Sequence, residues 1–434
     1  MIGAELSPAD GDLLLDLLRT PTVGLLEEPR GSPRLWEAQK AYAEAAAELG
    51  FTTVLHGPPV PAVLELPGVP DPVRRAAAEL PGFLDRQPSL VLRLGPSLPR
   101  EQTVMFNVHL DTVAGGEPPR LDGGRFHGRG AIDAKGPAVA LLSGIRAALA
   151  AEPALGERVG VLVQAVAGEE GGAMGSFGTR PLVEAGHIGR LNVFCEPTGL
   201  RWLSRCTASM TARIRVAGHD AIDDEPDAGH NATVLLGFLA QRLAAELPAK
   251  AADGRVCVAG LHTGDLHNRV YGSGRLLLNI SYGTPESGRR MERAVRDALA
   301  AGLAEFTQTF ASHPDQARTA ADAETITTLE WLKRGLPALA GSDPWAEELL
   351  EKRAGLVRWP AGEPAFTCDA IWMQDVPGAF TVVYGPGDLG VNNAHAAGEY
   401  ADTADLERFA ADVARLLISF TQSTPSTQNG SDHP

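Results

Sequence analysis

Three stretches of this chain share a form that few folds accommodate: a nearly uninterrupted apolar run that ends in histidine or acid. TVMFNVHLD ends on His109 and Asp111, RVGVLVQAVAGEE on Glu169 and Glu170, and LNVFCEP on Glu196. Strands that read this way are buried on both faces, the condition of a parallel strand in a sheet covered by helices. GPAVALLSGIRAALAAE, between the first and second, reads as a helix, so the order is that of an α/β fold with a mixed, mostly parallel sheet. In such sheets ligands gather at the carboxyl ends of the strands. His109, Glu169, Glu170 and Glu196 all fall there, a coincidence independent of the pattern that identifies the strands.

Elsewhere the punctuation is clear. Ser7-Pro8-Ala9-Asp10 supplies an N-cap, a proline at the first helical position and an acid in the first turn. LWEAQKAYAEAAAELG reads as a second helix stopped by Gly50, and FTTVLHG and SLVLRLG as strands. LPGVPDPVRRAAAELPGFLDRQP reads as an irregular excursion between them. From about residue 207 the pattern changes to an alternating strand MTARIRVAG, a helix HNATVLLGFLAQRLAAEL, strands RVCVAGLH and GRLLLNISYG, and a long helix SGRRMERAVRDALAAGLAEFTQTF. That β-α-β-β-α order predicts a ferredoxin-like α+β module inserted in a larger domain. The expected organisation is a larger domain from 1–206 and 319–420, a module at 207–318, and a disordered polar tail at 421–434.

With 434 residues, 44% of them hydrophobic, the chain has material for two or three cores. Its formal net charge of −16 argues against a nucleic-acid or anionic-membrane surface, which needs phosphate-neutralising cations. Four cysteines form no C-x-x-C pair, so neither a disulfide framework nor a thiolate zinc site is expected. No basic-then-apolar leader and no apolar run of about 18 residues is read, and the expectation is a reduced, cytoplasmic setting.

Five segments offer metal-type ligands: HLD from His109, GRGAIDAKG with Asp133, AGEEGG with Glu169 and Glu170, CEPT with Glu196, and NNAHAAGEY with His395. Singly, each has an ordinary reading. Asp133 suits a turn acid beside Lys135, the paired glutamates a solvated turn, Glu196 a strand end before Pro197, and His395 a loop histidine. A second H-x-D, His313-Pro314-Asp315, has no such company. Two adjacent anions at a strand end repel unless one binds a cation and the other takes a proton. Two divalent ions about 3.5 to 4 Å apart need a shared carboxylate, terminal ligands and a base.

In order and spacing, the five segments resemble the zinc-dependent amidohydrolase and metallopeptidase superfamily that includes acetylornithine deacetylase, succinyl-diaminopimelate desuccinylase, aminoacylase and glutamate carboxypeptidase. GRGAIDAKGP and GPGDLG…AHAAGEY look most like the deacetylase branch. The resemblance implies a catalytic domain and an inserted lid through which the chain forms a homodimer. It also implies two zinc ions, with cobalt or manganese as alternatives. His109, Asp133 and Glu196 would hold one; Asp133, Glu170 and His395 the other, with Asp133 bridging. Asp111 would orient the His109 ring as a carboxylate, Glu169 would be the general base, and the Asp133-Ala134 peptide would be cis.

The chain departs from that pattern in the module. Ile222 stands where the family has an oxyanion-stabilising histidine, four residues before Pro226; His219 or His230 could substitute. Asn279-Ile280-Ser281 replaces an acid–apolar–arginine ending, and Ile371 replaces an arginine after Cys368-Asp369-Ala370. Those arginines bind a substrate carboxylate in the family, a task that suits the guanidinium fork. Asn268 matches a lid asparagine that contacts substrate. The implied reaction is hydrolysis of an amide in an N-acyl amino acid or small peptide-like metabolite. Dipeptidase or carboxypeptidase action, acyl transfer or amide formation, and a non-enzymatic binding role are the alternatives.

Overall fold

The computed structural model describes residues 3–424; the expected disordered tail lies outside them from residue 425 on. In chain order the first part supplies helices α1 (Pro8–Arg19) and α2 (Leu35–Ala47), strands β1 (Phe51–Gly57), β2 (Ser89–Leu94) and β3 (Thr103–His109), helix α3 (Lys135–Ala151), and strands β4 (Gly160–Val166) and β5 (Leu191–Phe194). Next come β6 (Ala208–Ala217), α4 (Ala232–Glu246), β7 (Val256–His262), β8 (Ser273–Tyr282), α5 (Pro285–Phe310), α6 (Ala317–Ile326) and β9 (Thr327–Lys333). The chain closes with β10 (Phe380–Val383) and α7 (Thr403–Ser423). Because α7 runs to Ser423, residues 421–423 are helical rather than the start of a tail. None of the described helices is long and apolar enough to cross a membrane.

The chain divides into two compact units, one of Met1–Cys206, Leu339–Glu363 and Cys368–Pro434, the other of Thr207–Ala338 and Pro364–Thr367. The first holds a six-stranded sheet in the order β1-β2-β4-β3-β5-β10. β4, β3, β5 and β10 pair in parallel, whereas β2 runs antiparallel to both its neighbours. Every residue of β3 is buried, which is why its sequence is a continuous apolar run rather than an alternation.

The N-terminal helix starts as its sequence dictates. Ser7 Oγ accepts from the Asp10 amide at 3.2 Å, and Asp10 returns a bond to the Ser7 amide at 2.7 Å. Both are orphan donors at a helix start, and the pair satisfies them reciprocally. The interval between β1 and β2 is more ordered than an irregular excursion: Asp71–Glu79 forms a helix, with Pro72 in its first turn. Its short apolar face (Val73, with Phe83 beyond the helix) packs with Val63, Val69 and Phe177 in a satellite core. So short an amphipathic run, flanked by prolines, carries little periodic signal.

The second unit is a four-stranded antiparallel sheet in the order β7-β8-β6-β9. With α4 and α5 this is the β-α-β-β-α-β order of a ferredoxin-like module. The unit runs to Ala338, not to 318, because β9 pairs along β6 from Thr211↔Lys333 to Val216↔Thr327. Strand β9 therefore completes this sheet. Without it β6 would present an open edge.

Behind the first sheet, α3 and α7 approach closely at Gly144, where a Cβ would lie 2.5 Å from the Ala410 carbonyl oxygen and 2.8 Å from Val413 Cβ. A Gly144→Ala change gains about 0.5–1 kcal/mol of helix propensity. The overpacking costs about 1–3 kcal/mol, so a net loss of stability is expected. Urea unfolding would show it as a lower midpoint; an unchanged or higher midpoint would contradict this packing account.

Candidate metal centre

Sheet register brings the strand ends level. β3 and β4 pair in parallel with His109 opposite Val166, and Leu110 N–H donates to the Val166 carbonyl at 3.1 Å. On the other side Asn107 pairs with Phe194, and Cys195 N–H donates to the Asn107 carbonyl at 2.9 Å. Glu196 is two residues beyond Phe194, as His109 is two beyond Asn107, so the same register carries the acid to the level of the imidazole. Glu169 and Glu170 follow β4 by three and four residues.

His109 and His395 meet at Asp133. His109 Nε2 lies 2.9 Å from Asp133 Oδ1, and His395 Nε2 lies 3.0 Å from Asp133 Oδ2 and 2.8 Å from Glu170 Oε1. One carboxylate thus addresses two imidazoles with its two oxygens. His109, Asp133 and Glu170 offer ligand atoms within 4.8 Å of one another. The Asp133-Ala134 peptide is cis. Glu196 is buried in the same neighbourhood, where its charge interacts with His109 and Asp133, but it makes no hydrogen bond to either.

The electrostatics are those of a cation site. Burial works against charge on every acid here. It raises the Glu169 carboxyl well above its ordinary value, with Glu170 adding to the shift, and it raises Glu170 and Glu196 as well. Asp133 alone is held low, because hydrogen bonds from His109 and His395 outweigh its burial. Those carboxylates push back: contacts with Asp133 and Glu170 lift His395 to about 10. Lys135 does not relieve the excess charge, despite its place two residues after Asp133. Its ammonium donates to the Leu17 and Thr20 carbonyls at 2.9 and 3.1 Å, at the end of α1. The reading of Asp133 as a turn acid beside that lysine therefore fails.

Two expectations need correction. Asp111 orients the His109 ring through its main chain: Nδ1 lies 2.9 Å from the Asp111 carbonyl oxygen and 3.8 Å from Oδ1. The Asp111 carboxylate instead accepts the Glu170 amide at 3.1 Å through Oδ2, which ties the two strand ends together. His230 cannot donate toward a substrate, because Nδ1 accepts from the His219 amide at 2.9 Å and Nε2 lies 3.1 Å from Asp322. His219 and Asn268 are exposed in the second unit, apart in sequence and unit from the metal-type cluster.

Two acids escape the sequence reading. Glu399 is fully buried, and its Oε1 gathers the amides of Gly130, Ile132 and Asp133 at 3.0, 3.1 and 3.3 Å, while Oε2 takes Arg129. It clamps the loop that presents Asp133. The signal lay in GRGAID: Gly130 has φ +89°, and such a loop exposes consecutive N–H groups that need an acceptor. Asp369 is also fully buried. It accepts the Thr179 hydroxyl through one oxygen, leaves the other without a partner among the described residues, and is pushed up to about 6 by burial.

Removing the clamp leaves three amides and a guanidinium facing a void. Glu399→Ala should cost at least about 1–3 kcal/mol, the desolvation penalty of unsatisfied donors. Chemical denaturation measures it, and a variant as stable as the parent would show that the loop holds itself.

A family model described as peptidase family M20/M25/M40 matches residues 105–419. A protein of Aeropyrum pernix, provisionally named a LysW-lysine/LysW-ornithine hydrolase, is 34% identical over 217 residues, 49% of this chain and 57% of that protein. The match therefore spans little more than half the length of that relative. Among solved structures, an M20 family metallo-carboxypeptidase from Sulfolobus solfataricus aligns with TM-score 0.68 at 12% identity, covering 96% of this chain and all of that one. The di-peptidase Dug1p of Saccharomyces cerevisiae aligns with TM-score 0.67 at 14% identity, covering 96% and 97% of the two chains. At those identities the likeness is one of fold.

Proposed function

The chain belongs to the M20/M25/M40 peptidase family, and on that premise we propose that it is a metal-dependent hydrolase of linear amides. The substrate class is an N-acyl amino acid or small peptide-like metabolite. The observation that carries this reading is the Asp133 carboxylate shared between His109 and His395. The donor set fits hard or borderline divalent ions: imidazole nitrogen and carboxylate oxygen, with no thiolate among them.

In this reading His109, Asp133 and Glu196 would hold one ion, and Asp133, Glu170 and His395 would hold a second. Zinc is the ion we assign; cobalt and manganese suit the same donors. Such ions supply Lewis acidity toward the amide carbonyl and make a water acidic enough to attack at neutral pH. Neither Glu169 nor Glu196 makes a side-chain hydrogen bond among the described residues, and Glu169, to which no ion is assigned in this reading, keeps its carboxylate free to move a proton. It takes one from the attacking water and delivers it to the leaving nitrogen, so the carboxylate is regenerated as acid and amine separate. Asp111 and Glu399 act at one remove, holding the Glu170 amide and the Asp133 loop.

The Aeropyrum relative is named for lysine and ornithine conjugates, which supports an aminoacyl amide as substrate. The arginines that the family uses for a free carboxylate are missing in a structural sense too. Ile371 is fully buried, and Ser281 Oγ accepts the Arg255 amide at 2.9 Å. We therefore assign recognition of the substrate to other groups, Asn268 and His219 among them, and pairing of two copies to the second unit. Ile222 is 56% exposed and cannot stabilise an oxyanion. That favours one second reading, acyl transfer to an amine, which would show as product formed only when an amine acceptor is supplied.

Metal-loaded protein should release amine from at least one member of a panel of N-acyl amino acids and dipeptides. Chelation should abolish the release and added zinc or cobalt restore it. Glu169→Gln should lower kcat by about 10²–10⁴-fold with the metal content, read by atomic absorption, unchanged. Turnover of nothing in the panel, or full activity in Glu169→Gln, would sink the assignment.

A further inference from the structure

The sheet of the second unit buries Ala212, Ile214, Val216, Leu276, Leu278 and Ile280 on one face. Alternate residues of a strand point the other way, so Arg213, Arg215 and Arg275 share the opposite face. Register sets Arg215 directly opposite Arg275, with His262 opposite Arg275 on its other side. Arg213 is neutralised by Glu330, which accepts from its Nε at 2.6 Å. Arg215 and Arg275 have neither ion pair nor hydrogen bond among the described residues. All four of these side chains line a cleft of about 540 Å³, with Thr263 and Ser273 at its wall.

This arrangement runs against the rest of the chain. Like charges directly opposite on adjacent strands destabilise a sheet. Yet a protein with a net charge of −16 places no acid between these two guanidiniums. Opposed side chains of that kind have Cβ atoms roughly 4.5–5.5 Å apart, close enough for both forks to grip one group. Guanidinium forks match the oxygens of phosphate and carboxylate with paired, charge-assisted hydrogen bonds.

We infer that this cleft is a binding site for a small oxyanion, a phosphate or carboxylate group, held between Arg215 and Arg275. His262, Thr263 and Ser273 supply the remaining donors. The site lies wholly in the second unit and uses none of the metal-type ligands, nor Asn268 or His219.

The test is thermal unfolding of the full-length, metal-loaded protein in sodium phosphate, sodium succinate and sodium chloride at matched ionic strength. Phosphate or succinate should raise the wild-type Tm saturably, and chloride should not. The oxyanion that saturates at the lower concentration identifies which class the site takes. Arg215→Gln and Arg275→Gln each remove one of two opposed charges. In chloride both should melt no lower than wild type, and in the oxyanion both should need about tenfold or more to reach half saturation, as for a lost charge-assisted bond. Arg275→Lys keeps the charge without the fork, and should fold normally and bind more weakly. Equal response to chloride would reduce the effect to screening, and an undiminished response in all three variants would put the anion elsewhere. Either result overturns the proposal.

Discussion

Charge balance around Asp133 is the constraint on which the rest of this structure turns. Four acids, Asp133, Glu169, Glu170 and Glu196, sit with two imidazoles where burial opposes ionisation of each acid. Desolvating a carboxylate costs several kcal/mol unless a counter-charge repays it. The Lys135 amine, two residues after Asp133, is spent on the carbonyls at the end of α1. Two imidazoles offer at most two positive charges to four carboxylates, so the balance is met by protons on the raised glutamates or by a bound cation, for which His109, Asp133 and Glu170 are placed.

The fold answers that constraint with rigid parts. Parallel pairing on both sides of β3 sets the ends of three strands at one height, and hydrogen bonds past those ends, from Leu110 to Val166 and from Cys195 to Asn107, continue the ladder into the ligand-bearing residues. The Asp111 carboxylate then locks Glu170 to the β3 end, and Glu399 locks the Asp133 loop. Each of these acids takes main-chain donors, Glu399 with Arg129 in addition, which fixes backbone position and therefore ligand position.

What the sequence discloses follows from the same physics. The buried parallel strands were legible because burial on both faces leaves a continuous apolar run, and the acids after them stood out only together, as several charges at the carboxyl ends of neighbouring strands. Glu399 was not legible, because the GRGAID loop signals only that its amides need an acceptor, not which distant residue supplies it. The role of Asp111 was assigned to the wrong atoms for a related reason: a carbonyl is present at every position, so spacing cannot favour it over the carboxylate. The helix Asp71–Glu79 was missed because one turn or two of amphipathic pattern between prolines is too short to register. The module's end was set at 318, short of β9, because that strand's partner, β6, lies more than a hundred residues earlier, and a strand's sequence does not name its partner.

His395 shows where local preference gives way. It has φ +62°, and Asn393, two residues before, has φ +55°. For histidine the left-handed region is uncommon, and holding a residue in a sparsely populated conformation costs about 1–3 kcal/mol. The surrounding loop over-determines it. Asn392 Oδ1 accepts the Asp388 amide at 2.8 Å, Ala394 N–H reaches the Leu389 carbonyl at 2.9 Å, and Ala396 N–H reaches Asn393 at 3.0 Å. The consequence is an imidazole that is half-exposed yet aimed at Asp133 and Glu170. An unstrained loop would leave that ring free to turn to solvent, and a ligand that must be ordered at each binding event pays its rotamer entropy then. Folding settles that cost in advance here, which is why strain and ligand coincide at one residue.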